Sequence, residues 1–381
     1  MGGTDATITI PAISIGANTA TAIINQLNAA IPVTVTMTSG IYKDGNLDNG
    51  VISHEYGHGV SNRLTGGTFN TSCLGNAEQG GEGWSDYIAL MLTTNWATAT
   101  VSDGTNPRTI ATYDLSQSTS GAGFRRYPYS TNMAINPLTY AALNSGTSVH
   151  DNGEVWCSAI WDMTWNIIQQ TNSITPNLYN SAGTGGNIIA LKLVMTGLKL
   201  QPCQPGFIDA RNAILAADSI LYNGTYRCAI WNAFARRGMG FSARQGFSTS
   251  ANDQTVATDL PAGVWFDKKM ETQIVNSGNL VTITHAATCN CQVPANNYII
   301  RDTIPTGFEY VSSTGGTLSG NVVTSGPLNF ATANETKSYS VTLRATMTGC
   351  AVDSLVNDNR DGATAGNLTP VVLSGAGTWS S

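Results

Sequence analysis

The residues that first suggest chemistry are two histidines four residues apart in VISHEYGHGVSNRL. On a helix, His54 and His58 project from one face, where two imidazoles can hold one Zn²⁺. Glu55 beside them is then placed to act as a general base. The same five-residue spacing also occurs on solvated helix surfaces, so a second signal is needed. It comes in AEQGGEGWSDYIALML, where Glu82 and Asp86 stand at i and i+4 after a glycine pair. Glu82 is the candidate third ligand of a His₂Glu site with an open fourth position. Asp86, one turn on, is the candidate acceptor for the free ring N–H of a ligand histidine. The plain alternative is an acidic first helical turn favoured by the helix dipole. The chain has four histidines. With two committed to metal, His150 in SVHDNGEVW is the candidate donor to a developing oxyanion. Against that stands a helix-start histidine with no special role. His285, in a strand-like run, is assigned no function. Asp44, Asn46 and Asp48 form a D-x-N-x-D run that offers hard oxygens to Ca²⁺; a polar turn before the histidine helix is the preferred reading.

The elements that must position these groups follow from periodicity. Helical patterns cover TATAIINQLNAAI, 51–100, 149–172, 187–200, 207–221 and 229–238. Strand-like runs flank the first helix within residues 6–38. Residues 101–148 read as a long loop region, and 243–263 lack periodicity. From about 264 short strand-like runs alternate with turn residues, among them TQIVNSGNLVTITHAAT, NNYIIRDTIP, FEYVSSTGG and KSYSVTLRATM, which is the pattern of a sandwich. The fold class is therefore multidomain α+β, a mainly α-helical zinc-binding part followed by an all-β Ig-like sandwich. Trp84, Trp156, Trp161 and Trp165 lie at helical spacing and are expected in the core.

Composition bounds the function classes. Lys and Arg number 18 against 24 Asp and Glu, a net charge of −6, which argues against nucleic acid as a partner. Charged residues make up 11 %, below the roughly 25 % of an average soluble protein. The 40 glycines and abundant Thr, Ser and Asn suit a secreted or surface-exposed bacterial protein. A hydrophobic share of 41 % supplies a core. No run of about 18 apolar residues is present, so no transmembrane span is expected. Of seven cysteines, Cys203 and Cys228 flank a helical stretch and are expected to pair across it, and Cys350 is the better partner for Cys289 or Cys291. The first residues carry neither the charged nor the apolar region of a signal peptide. The chain reads as a fragment of a longer extracellular precursor.

At these residues the sequence resembles the fungalysin family of secreted metallopeptidases, in a bacterial multidomain form. The likeness runs through DGNLDNGVISHEYGHGVSNRLTGG, CLGNAEQGGEGWSDYIALM, RRYPYSTNMAINPLTYAALN, VHDNGEVW and LKLQPCQPGFIDARNAIL. It implies a thermolysin-like zinc subdomain with His54, His58 and Glu82 as ligands, Glu55 as catalytic base and acid, and Asp86 as partner of a ligand histidine. It implies His150 as the oxyanion-stabilising histidine and Arg125 or Arg126 as a contact to the substrate backbone. Two positions depart from thermolysin-like enzymes: Ser145 stands where they orient the histidine with an aspartate, and residues 59–81 hold no tyrosine. The resemblance divides the chain into a partial protease-associated-like segment (1–40), the zinc metallopeptidase part (41–242), a linker (243–263), a surface-protein β-sandwich (264–350) and a tail or truncated further module (351–381). It implies a zinc endopeptidase acting on internal bonds of protein or peptide substrates, with contact to a cell surface or extracellular matrix through the sandwich. A catalytically weak surface or adhesion protein is the alternative. An aminopeptidase is less favoured, because no glycine–acid motif precedes HEYGH.

Overall fold

A computed structural model of the chain describes residues 17–34, 43–144, 148–272 and 275–346. The chain divides into two compact units, Met1–Lys43 and Asp44–Ser381. In the first, helix α1 (Ala17–Asn28) forms over the helical pattern and buries no residue. The strand-like runs around it fall largely outside the described residues.

The second unit combines helices with antiparallel sheets, a mixed α+β fold. Its helices are α2 (Asn49–Leu64), α3 (Gly81–Thr93), α4 (Val149–Thr171), α5 (Gly186–Leu200), α6 (Phe207–Tyr222) and α7 (Arg227–Arg236). Among the described residues, no helix is long and apolar enough to cross a membrane. Helix α4 starts at a capping box, in which Ser148 Oγ accepts from the Asp151 N–H and the Asp151 carboxylate accepts from the Ser148 N–H. It stops at Asn172, whose φ of 46° is left-handed. Every residue from Asn152 to Trp165 is buried, which makes α4 the central helix of the core. Trp84, Trp156, Trp161 and Trp165 are all in that core. The predicted loop region after α3 is mostly turns, secured from beneath by Arg237. That fully buried guanidinium donates to both oxygens of Asp162 on α4 and to the carbonyls of Ser130, Asn136 and Leu138.

Three glycines let the site helices approach closely. A Cβ on Gly57 of α2 would lie 2.7 Å from Ser85 Cα of α3. One on Gly83 of α3 would lie 2.3 Å from Gly153 O of α4, and one on Gly153 would lie 2.4 Å from Glu82 Cβ. Any side chain there pushes apart the helices that carry the candidate ligands. Gly153→Ala should therefore destabilise the fold by about 1–3 kcal/mol. Gly59→Ala, with nothing within 4 Å of its Cβ, should be neutral or stabilising. Comparing the two melting temperatures tests this; equal effects would refute the close-packing argument.

Strands β1 (Val264–Met270), β2 (Leu280–Cys289), β9 (Thr336–Ala345) and β5 (Phe308–Thr314) form one sheet in the order β1-β2-β9-β5. Strands β3 (Ala295–Tyr298) and β8 (Leu328–Phe330) pair, and β4 (Arg301–Thr303), β7 (Val322–Ser325) and β6 (Gly316–Ser319) form a third sheet. All pairings are antiparallel. The single strand expected over NNYIIRDTIP is broken into β3 and β4, which belong to different sheets. Alternation along β2 sends Val281, Ile283, Ala287 and Cys289 into a core shared with Val323, Phe330, Val341 and Leu343. His285 is buried there, bonded to Asp302 at 2.9 Å. Residues 243–263 are tied to loops of the helical part: Ser248 O accepts from the Glu78 N–H and from Asn76 Nδ2, and Gln254 Nε2 donates to Leu143 O.

The disulfides correct the expected pairing. Cys203 bonds Cys73, and Cys228 bonds Cys291. The helix between Cys203 and Cys228, 16 residues of α6, holds its ends about 24 Å apart, far beyond disulfide reach. Cys291 is therefore not paired with Cys350, which lies outside the described residues. Cys157 and Cys289 are buried free thiols.

Candidate metal centre

Asp48 sets the start of α2. Its Oδ1 accepts from the Gly50 and Val51 N–H groups, and its Oδ2 from those of Tyr113 and Asp114. Four donors converging on one carboxylate suit a buried anion and not a cation site. Asp44 likewise accepts from the Asn46 N–H. The D-x-N-x-D run thus serves as turn and cap, which favours the polar-turn reading over Ca²⁺.

One and a half turns into α2, His54 points at α3 and is buried. Its Nε2 lies 3.1 Å from His58 Nε2 and 3.2 Å from Glu82 Oε2, and His58 Nε2 lies 3.6 Å from Glu82 Oε1. Among the described residues this trio is the one group of three or more ligand-type side chains close enough to hold a metal ion. Its spacing suits zinc: ligands about 2.0–2.1 Å from a tetrahedral centre stand about 3.3 Å apart. His54 Nδ1 lies 2.7 Å from Asp86 Oδ1, so the neutral ring carries its proton on Nδ1 and leaves Nε2 a lone pair. That lone pair faces Glu82 Oε2, a buried oxygen with no hydrogen-bond donor. Acceptors converging without a donor call for a cation.

The electrostatics agree. Burial alone would lower the His54 pKa, but the neighbouring Asp86 and Glu82 carboxylates, which favour the charged ring, outweigh that and raise it to about 9. His58 moves down, through burial and the neighbouring His54. Burial would raise Glu82 and Asp86, but the His54 hydrogen bond, joined by other nearby positive groups, holds both below the ordinary carboxylate range. Without metal, a second proton, on His54 Nε2, therefore does part of the ion's work. A metal ion must displace it, so affinity for a divalent metal should rise about tenfold per pH unit up to pH 9 and then level off. Titrating the metal-free protein from pH 6 to 9 checks this, and a flat profile would contradict it.

The other candidates surround this trio. Glu55 is exposed on α2, and its charge is felt at His58. His150, at the start of α4, is 55 % exposed with Nε2 3.4 Å from Glu82 Oε2. Arg125 is buried: its Nε and Nη2 donate to the two oxygens of Asp86, and Nη2 lies 3.6 Å from Glu82 Oε2. Arg126 turns the other way, to Glu154 and Asp151 on α4. Ser145 lies outside the described residues.

One group at the site went unread in the sequence. Tyr129 is fully buried and its hydroxyl donates to Asp86 Oδ2. The only signal was its place in RRYPY, four residues after Arg125.

Comparison with known proteins returns one family over most of the helical part. The fungalysin metallopeptidase (M36) family matches residues 21–243. The extracellular metalloproteinase mep of Aspergillus fumigatus is 42 % identical over 228 residues, 58 % of this chain and 34 % of that protein. Extracellular metalloproteinase 2 of Arthroderma gypseum is 40 % identical over 226 residues, 58 % and 34 % of the two chains. Extracellular metalloproteinase 4 of Arthroderma otae is 42 % identical over 215 residues, covering 54 % and 32 %. The chain spans about a third of the length of these curated relatives.

Proposed function

Because the chain belongs to the fungalysin metallopeptidase family, we propose that it is a secreted zinc-dependent metalloendopeptidase that hydrolyses internal bonds of proteins or peptides. The observation that carries this reading is the convergence of His54 Nε2, His58 Nε2 and an undonated Glu82 oxygen, with Asp86 fixing the His54 tautomer. His54, His58 and Glu82 would hold the ion. Bound zinc supplies Lewis acidity toward the scissile carbonyl and a more acidic water.

The chain's own groups do the rest. Glu55, exposed beside His58, takes the proton from the attacking water and returns it to the leaving amine. His150 Nε2, beside Glu82 at the rim, donates to the developing oxyanion. Of the two arginines, Arg125 is the one at the cluster, so we assign it the contact to the substrate backbone. Arg126 instead fixes the first turns of α4, which carry His150. The relatives' names place them outside the cell, and we carry that location over to this chain, along with the bacterial origin its composition suggests.

We assign the strands after Val264 to an Ig-like sandwich that meets a cell surface. The division is 1–40, 41–242, 243–263, 264–350 and 351–381.

A second reading, a catalytically weak surface protein, draws on the exposure of Glu55 and His150, which leaves the reacting groups open to bulk water. One experiment separates the two. The purified chain is incubated with a quenched peptide mixture, with and without a zinc chelator. Chelator-sensitive internal cleavage is expected. Release of single residues from the amino end would mean an aminopeptidase, and stoichiometric zinc without cleavage would favour the surface protein.

A further inference from the structure

The segment RRYPY reaches two of the site's helices. Arg126 engages Glu154 and Asp151 on α4, while Arg125 and Tyr129 both engage Asp86 on α3. Asp86 is fully buried. Its Oδ1 accepts from His54 Nδ1 at 2.7 Å and from Arg125 Nη2 at 2.8 Å. Its Oδ2 accepts from Arg125 Nε at 2.6 Å and from the Tyr129 hydroxyl. An ionised carboxylate has about four lone-pair sites, and all four are filled.

We propose that Tyr129 is a positioning residue for the metal centre, holding Asp86 in the orientation that aims His54 Nε2 at the ion. The proposal rests on the metallopeptidase reading above. Arg125 cannot fix Asp86 by itself, because the same guanidinium lies 3.6 Å from Glu82 Oε2 and is drawn toward two carboxylates. His54 cannot either, since it is the group being positioned. Tyr129 is the remaining donor, it is neutral, and it is rigidly mounted. Its ring is in the helical core, and its backbone N–H and C=O are both bonded to Arg108, at 2.7 and 2.9 Å. The fully buried Cys157 thiol neighbours the same phenol. Without the hydroxyl, Oδ2 loses a donor where no water reaches. The carboxylate then relaxes along the Arg125 fork, the bond to His54 loosens, and Nε2 leaves the triangle it makes with His58 and Glu82.

The test compares Tyr129→Phe with Tyr140→Phe. Tyr140 is equally buried, and its hydroxyl also donates to a buried carboxylate, Glu78, away from the trio. Both variants lose one hydroxyl from one buried acid, so both should melt earlier than the unmodified chain. Only Tyr129→Phe should weaken zinc, by about tenfold in competition with a chromophoric chelator, as expected for a group supporting a ligand histidine. Only it should alter the visible absorption of the cobalt(II)-substituted protein. Zinc affinity unchanged or tightened in Tyr129→Phe, or weakened equally in Tyr140→Phe, would overturn the proposal. If the unmodified chain itself binds no zinc, the metallopeptidase reading falls first, and this inference falls with it.

Discussion

Glu55→Gln is expected to retain zinc and lose turnover by about three orders of magnitude, within the range for removal of a general base. The separation of the two effects follows from geometry. The ligand trio is His54, His58 and Glu82, and Glu55 lies outside it on the exposed side of α2. Glutamine preserves the size of the side chain and its helix propensity, so α2 and its packing on α3 should be unchanged. The lost property is the capacity to take a proton from water and to give it to the amine. Metal content per chain and kcat on a fixed peptide, measured on one preparation, decide the matter. Turnover equal to that of the unmodified chain would exclude Glu55 as the base. Loss of zinc along with turnover would instead make it part of the ligand set.

The second large effect concerns stability. Arg237→Ala should cost about 3–5 kcal/mol, the range for removing one partner of a buried ion pair. Arg237 and Asp162 are both fully inaccessible. Deleting the guanidinium strips Asp162 of two hydrogen bonds and leaves the carbonyls of Ser130, Asn136 and Leu138 without this donor. Arg236 also reaches Asp162, but from a position 39 % exposed, so Arg236→Ala should cost much less. Urea unfolding followed by tryptophan fluorescence is the appropriate measurement, because most tryptophans lie among the helices. A loss below about 1 kcal/mol for Arg237→Ala would show that the pair adds little beyond an exposed bridge.

How much of this was legible depended on the range of the interaction. Helices α4 to α7 lie within a few residues of the spans read from periodicity, because a buried stripe writes itself into local spacing. The approach of His54, His58 and Glu82 was readable for the same reason: two short i, i+4 patterns on consecutive helices. The short strands β6 to β8 were not singled out, since three or four residues between turns carry too little alternation. The disulfides were misread because α6 was treated as closable when its length holds its ends apart. Tyr129 and the opposite directions of Arg125 and Arg126 depend on how one loop crosses two helices, which no local spacing encodes. Gly57, Gly83 and Gly153 sat in plain view inside the motifs. Their reason, helix-to-helix contact at backbone distance, appears only once the helices are packed.

The bond between Cys228, on α7, and Cys291, just beyond β2, has a further consequence. It closes a covalent ring around everything between those residues, including the irregular stretch 243–263. An endopeptidase of the kind proposed above would meet its own exposed segments at high concentration, and exposed loop tips are where such cuts concentrate. A nick inside the ring would leave the helical part and the strands joined, as one species that separates into two only after reduction. A cut anywhere between Cys228 and Cys291 would thus leave both parts joined.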